Sequence, residues 1–404
     1  MIIIKKHLQL FKDILKLNNK LFVFISILLI NFPKFNIISI GGFSQGIRLD
    51  DLLFFLLIFY YGKNILISKQ TRIISTIFLI SLFVGLINHP FNGILKIFYL
   101  IRFLQYIIFF ELSRKILQKN ELFFVLKFTF YFQFIYSLAQ YILNSFQFRV
   151  TGTTAGPWEV SIIMLLTCIF LFNQANNKKT KFLLIFMIFS FLIMSAARAQ
   201  FVAFLIIIGF LLPFSNRKKI IVGIIMITLG ILFKNLFLNG FGYLEFGKLS
   251  TTLEQLSDYF ISEIKSKTLD FGEGGSYFGD CETLDCSFIS RIQQWAFYIK
   301  SGIQSTNSTL FILFGAGPGS GGTILDGWYI KLFVDFGLLG TLYYIYFLYK
   351  NYTTELNKII IIILSISCLT LDVYWASKIG YCLCIILPLA IILNKNEKLL
   401  NTTT

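Results

Sequence analysis

Apolar residues in this chain arrive in long blocks of roughly 17–25 residues, divided by short polar or basic stretches; that length crosses a ~30 Å hydrocarbon layer. The blocks fall near 20–40, 50–66, 73–89, 93–113, 122–143, 157–173, 181–197, 199–214, 219–238, 328–349, 358–375 and 377–394. In lipid only helices and closed barrels satisfy the backbone, and uninterrupted apolar blocks of this length are helices. The pattern predicts an all-α fold, a polytopic membrane helix bundle of about twelve transmembrane helices. No internal repeat or low-complexity tract divides it, so a single membrane domain over 1–404 is expected. One long loop, 239–327, separates the ninth and tenth blocks and is the only segment able to form an extramembrane subdomain. It holds half of the acidic residues, among them Glu254, Asp258, Glu263, Asp270 and Asp285. Within it Ile289, Ile292, Trp295, Ala296, Ile299 and Ile303 recur at helical spacing, with Arg291, Gln294 and Lys300 elsewhere on the wheel. That spacing predicts a short helix lying on the membrane surface.

Composition strengthens the picture. The 404 residues are 56% hydrophobic and 14% charged, with a mean hydropathy of +0.75. A soluble domain of that size could not hide so much apolar surface in one core. The formal charge of +16 invites a nucleic-acid reading. Where the charges sit argues against it. They cluster in every second loop: Lys5, Lys6, Lys12, Lys16 and Lys20; Lys63, Lys69 and Arg72; Arg114, Lys115 and Lys119; Lys178, Lys179 and Lys181. The same holds for Arg217, Lys218 and Lys219, for Lys350 and Lys358, and for Lys395 and Lys398. This is the positive-inside pattern, so most of the excess charge is topological. Both termini are then cytoplasmic, and 239–327 lies on the opposite side. The basic N-terminus has no small-residue cleavage site after it and further spans follow, so a retained first helix is expected rather than a signal peptide.

Several polar residues do not fit a topological role. Cys168, Cys368, Cys382 and Cys384 lie in apolar blocks and read as packing residues. Cys281 and Cys286 lie on the outer side, where disulfides persist, four residues apart in a turn-sized segment; a disulfide between them and two free thiols both stay open. Without a further Cys or His in the loop, a zinc site is not expected. Lys or Arg on the side poor in positive charge needs a reason. Arg48, Arg149, Arg198 and Arg291 fall at or near outer boundaries, and Lys378 also lies there. Arg48 precedes Asp50 and Asp51, which favours a local ion pair. Guanidinium is planar, permanently charged and bidentate toward phosphate oxygens, so Arg149, Arg198 and Arg291 together suit a lipid-linked pyrophosphate at that depth. The segment 149–159, Arg-Val-Thr-Gly-Thr-Thr-Ala-Gly-Pro-Trp-Glu, carries glycines that allow backbone approach to a ligand. Its Glu159 opens the next span, where a carboxylate also serves as a helix cap. The run 315–322, Gly-Ala-Gly-Pro-Gly-Ser-Gly-Gly, matches no Walker pattern and reads as a flexible approach that brings Asp326 to the site.

These stretches together resemble the O-antigen polymerase and ligase family over nearly the full length. Gly152-Thr153 through Gly156-Pro157-Trp158-Glu159 is similar to the family's G-T-x-x-x-x-P-N-E, with Trp158 replacing Asn. Ser195-Ala-Ala-Arg198 is similar to S-x-S-R. Gly315-Ala-Gly317 precedes the tenth span, and Asp326-Gly-Trp-Tyr329 continues to Asp335-Phe-Gly337-Leu-Leu-Gly340, like the family's H/D-N-x-Y-L and G-L-I-G stretch. The resemblance implies a GT-C-like bundle in the bacterial inner membrane with a periplasmic loop. It implies a glycosyltransferase that polymerises undecaprenyl-pyrophosphate-linked oligosaccharide repeat units for O-antigen, capsule or exopolysaccharide. The expected roles are pyrophosphate binding by Arg149, Arg198 and Arg291, and help to the acceptor hydroxyl from Asp326 or Glu159, with no metal or cofactor. Expected partners are lipid-linked glycans, membrane lipids and a chain-length regulator, and no nucleic acid. Ligases of the family carry a histidine in or after the large loop; here the two histidines are His7 and His89, and Asp326 stands at that place, which favours the Wzy-type polymerase. A ligase moving polymer to lipid A core or protein, and a transporter or lipid flippase, are the alternatives. Six prolines and no visible repeat count against the transporter.

Overall fold

The computed structural model describes residues 19–33, 36–39, 46–65, 68–88, 93–144, 149–154, 156–195, 197, 200–205, 286–304, 307–320, 327–351, 355–368 and 377–402. Among them most of the helices lie on the apolar blocks. They are α1 (Asn19–Asn31), α2 (Leu49–Tyr61), α3 (Lys69–Asn88), α4 (Gly93–Ile116), α5 (Lys119–Leu143), α6 (Pro157–Gln174) and α7 (Lys178–Ser195). Two helices lie within the loop 239–327, α8 (Cys286–Ile303) and α9 (Ser308–Phe314), and after it come α10 (Trp328–Asn351), α11 (Glu355–Cys368) and α12 (Ser377–Thr402). Of the block 199–214 only residues 200–205 are described, as helix, and 219–238 lies outside the described residues. The protein is a helical bundle.

Two expectations need correction. The first block is not helical to residue 40. Its helix ends at Asn31, and Asn36–Ser39 pairs antiparallel with Gly46–Arg48 as a small β ribbon, β1 and β2. Pro33 explains the stop, since it disfavours helical geometry in the residue before it and has no N–H to continue the ladder. The helix expected on the membrane surface is present as α8, but it is packed into the protein against α9 and α10. Gln294 and Lys300, assigned to its polar side, are buried together with Ala296, while Ile303 is exposed.

By its internal contacts the chain forms two compact units, each assembled from separated stretches. One unit comprises Met1–Ser68, Gln105–Phe204 and Ala376–Thr404; the other comprises Lys69–Leu104 and Leu205–Trp375. Helix α4 contributes its first half to the second unit and its remainder to the first. In the first unit α6 is central, packed by α5, α7 and α12, and its residues are buried on every side. Aromatic contacts add to this core: Phe22 stacks on Phe109 at 5.6 Å, and Phe109 meets Tyr381 edge-on at 5.3 Å. In the second unit α9 and α10 form the heart, with α3, α8 and α11 against them.

Helices α5 and α6 are long and apolar enough to cross a membrane. Large apolar side chains also face outward, among them Phe59 at 84% and Leu143 at 82% exposure, with Phe182, Ile87 and Tyr349 similarly open. An exterior of this kind is costly in water and neutral in lipid. Both features support a membrane protein.

Core and lipid-facing phenylalanines should therefore behave differently. Phe109→Ala should cost about 3 kcal/mol by opening a cavity, whereas Phe59→Ala should stay within about 0.5 kcal/mol. Thermal unfolding of the two purified variants in one detergent checks the contrast.

Candidate functional site

The segment 149–156 is held rigid from two sides. On α5, Gln133 and Gln140 lie two turns apart and present amides to it. Gln140 Nε2 donates to Gly152 O (3.1 Å), and Gly152 N–H donates to Gln140 Oε1 (3.0 Å). Thr153 N–H donates to Gln133 Oε1 (3.2 Å), while Gln133 Nε2 donates to Thr153 Oγ1 (2.6 Å) and to Asn31 Oδ1 (3.0 Å). Asn31 Nδ2 continues the chain to Thr129 Oγ1 (2.9 Å). Gly152 takes φ +57, and a Cβ there would sit 2.5 Å from Gln133 Oε1, so the clamp needs glycine.

The other side is the C-terminal end of α7. Arg149 Nε donates to Ser195 O (3.1 Å), Val150 N–H donates to Met194 O (3.2 Å), and the hydroxyls of Ser161 and Ser195 bond at 2.9 Å. A cation at the carbonyl end of a helix is favourable. The Arg149 side chain is exposed in that position. The stretch from Gly152 to Glu159 and the stretch beginning at Ser195, about forty residues apart in sequence, are thereby tied together.

Glu159 occupies a different environment. It is fully buried in the first turn of α6, and its Oε1 accepts the backbone N–H of Lys378 (3.2 Å), the second residue of α12. Lys378, also buried, donates from Nζ to Leu29 O (2.8 Å) near the end of α1. A carboxylate thus serves two helix N-termini and an ammonium serves a helix C-terminus, each matched to its dipole.

Arg48 carries its expected ion pair. Its Nε stands 3.2 Å from Asp50 Oδ1, without hydrogen-bond alignment, and both are buried. Asp51 accepts the Arg48 N–H (2.8 Å) and Gln105 Nε2 (3.1 Å). Burial disfavours the charged guanidinium, but Asp50 and its neighbours outweigh this and hold Arg48 above its ordinary value.

In the second unit the glycine run 315–319 is not a flexible approach but a packed turn. Ala316 N–H donates to Val334 O (2.7 Å), Gly317 N–H to Asp335 O (3.1 Å) and Gly319 N–H to Asp335 Oδ2 (3.0 Å). Ser81 Oγ on α3 also donates to Asp335 O. A Cβ on Gly315, whose φ is +78, would lie 2.4 Å from the Asp335 carbonyl carbon, and one on Gly85 of α3 would lie 2.3 Å from Ala316 O. Lys96 closes the turn, donating from Nζ to Gly85 O (2.8 Å) and Ala316 O (2.7 Å). The stretches around 315–317 and 335–337 are thus bonded to each other, as the earlier pair is.

Of the residues singled out from sequence, Arg149 and Glu159 lie at the two ends of one clamped loop in the first unit. Arg291 sits half-buried on α8 in the second. Arg198, Asp326 and Cys281 lie outside the described residues, and Cys286 is described only as the start of α8. The structure adds Gln133, Gln140, Lys96 and Lys331. Each is a polar residue inside an apolar block, the signal by which sequence alone exposes such positions. No family model matches the chain, and no curated protein matches it in sequence.

Substitutions at two positions test the supports of the loop and of the turn. Glu159→Ala should cost about 2 kcal/mol by stranding a buried donor, and Glu159→Gln, which keeps the acceptor, less than half of that; thermal unfolding in detergent reads both. Gly85→Val should reduce folded protein further, by about 3 kcal/mol of overpacking against backbone, seen as loss of the monodisperse peak in size-exclusion chromatography.

Proposed function

We propose that the protein is an inner-membrane glycosyltransferase of the O-antigen polymerase kind. In this reading about twelve spans place the loop 239–327 in the periplasm, both termini are cytoplasmic, and repeat units on undecaprenyl pyrophosphate are the substrate. The observation that carries the reading is the pairing of the four family-like stretches. The first two lie about forty residues apart in sequence and are joined through flanking residues, Arg149 and Val150 bonding to Ser195 and Met194, and in the other pair Ala316 and Gly317 bond to Val334 and Asp335. Loops that touch only in the folded chain, and are fixed by buried amides, are what a positioned site requires.

The chemistry is displacement at the anomeric carbon. An acceptor sugar hydroxyl loses its proton and forms the new glycosidic bond, while the bond to pyrophosphate breaks and that group leaves with the electron pair. Arg149, Arg198 and Arg291 are proposed to stabilise the departing charge. Asp326 is proposed to orient or deprotonate the hydroxyl. Glu159, capping two buried helix ends, is proposed to hold the Arg149 loop and remains the second candidate for the base.

Arg149→Ala and Arg291→Ala should abolish polymer ladders at normal protein level, and Asp326→Asn should shorten them strongly. Deletion of the gene should leave surface lipopolysaccharide with one repeat unit. Full-length ladders from both arginine variants would remove the phosphate role, and polymer retained on the carrier lipid after deletion would indicate a ligase instead.

A further inference from the structure

Trp158 is the second residue of α6, between Pro157 and the buried Glu159, and it stands where the resembling family carries Asn. A tryptophan at a membrane boundary usually belongs to the aromatic belt, in which the ring meets lipid head groups around the perimeter. That role does not suit this position. Helix α6 is the central helix of its unit, packed by α5, α7 and α12, and its residues from Glu159 to Phe170 are all buried. An opening at the first turn of a helix so enclosed lies at its end rather than on a lipid-facing flank. Trp158 is only half-buried there, so part of its ring stays open.

The ring is held rather than loose. A Cβ on Gly156 would lie 2.9 Å from Trp158 Nε1 and 3.1 Å from Cδ1, so one edge of the indole is folded against the loop backbone and glycine leaves the room for it. That backbone is itself fixed. The Thr154 hydroxyl lies within hydrogen-bond distance of Thr151 O (2.8 Å) and Gly156 O (2.9 Å), which draws the turn together. Behind it, Gln140 and Gln133 clamp Gly152 and Thr153. Among the described residues no aromatic ring stacks on the indole, and its N–H donates no hydrogen bond. A rigid, partly open aromatic surface with an unused donor on its edge therefore belongs to the same clamped loop as the exposed Arg149.

We propose that Trp158 is the platform on which a pyranose ring of the glycan substrate stacks. A pyranose presents C–H bonds on one face, and their slight positive charge suits the negative face of an aromatic ring. Its hydroxyl oxygens accept a hydrogen bond, as the indole N–H requires. Stacking of this kind needs an open face and no enclosed cavity, and an indole already immobilised loses little freedom on binding. A lipid tail has no acceptor for the N–H, and a diphosphate has no apolar face to stack. The sugar is the part of a lipid-linked glycan that matches both features. Choosing a glycan rests on the function proposed above; the immobilised, open ring stands apart from it.

The test uses the full chain in nanodiscs with its four tryptophans replaced by 5-fluorotryptophan, the Trp158 fluorine signal being the one lost in Trp158→Phe. The probes are the repeat-unit oligosaccharide, released by mild acid from the producing strain's surface polysaccharide, and inorganic pyrophosphate. The oligosaccharide should move the Trp158 signal saturably and further than the other tryptophan signals, and pyrophosphate should leave it in place. By calorimetry, Trp158→Ala should weaken oligosaccharide binding about tenfold, equal to about 1.4 kcal/mol, while Trp158→Phe stays within about threefold of wild type. Trp158→Asn, which installs the family's residue, should weaken binding as Ala does and serves where Trp158→Ala fails to fold. A Trp158 signal that the oligosaccharide does not move, or that pyrophosphate moves as far, overturns the platform. So does lowered thermal stability with unchanged oligosaccharide affinity in the Ala and Asn variants, the mark of packing alone. Deletion strains separate the two proposals. Full-length ladders without the protein defeat the polymerase reading, and the titration still decides the platform, whereas an unmoved Trp158 signal with ladders lost on deletion defeats the platform alone.

Discussion

Helix ends buried in a bundle must be satisfied, and in the first unit one carboxylate and one ammonium do this for α1, α6 and α12. Glu159 stands in the first turn of α6 and takes an N–H from the start of α12, while Lys378 covers a carbonyl at the end of α1. Neither water nor lipid reaches either side chain. Buried groups of this kind are costly unless every partner is present, because the loss of one leaves a charge stranded. The ends of α1, α6 and α12 are therefore fixed with respect to one another. The loop 149–156, which runs directly into α6, inherits that rigidity.

The second unit answers the same demand with backbone rather than side chains. Gly85, Gly315 and Gly317 let the turn, α3 and α10 approach until no Cβ fits between several of their atoms. Close approach of this kind exposes carbonyls that a side chain must then cover, and Lys96 does so for Gly85 and Ala316. Asp335 completes the arrangement by accepting the Gly319 N–H. Glycine supplies proximity and the buried charges supply direction. In both units a loop that looks irregular in sequence is among the most heavily constrained backbone.

What was legible in the sequence follows from this division. Helix placement was read well, because a block of apolar residues is a strong signal and its ends carry charges: α3, α4, α5, α6 and α7 each lie on a block. The ribbon Asn36–Ser39 with Gly46–Arg48 was not, since its isoleucines continue the apolar run of α1 and only Pro33 marks the break. The orientation of α8 was misjudged for a related reason. Its periodicity gives a helix, but polar residues on a surface helix are expected to seek solvent, whereas Gln294 and Lys300 are buried. Gln133 and Gln140 were passed over because a single amide in an apolar block looks incidental until its backbone partner, twelve or twenty residues along the chain, is known. Partners so placed are what folding supplies and sequence order conceals.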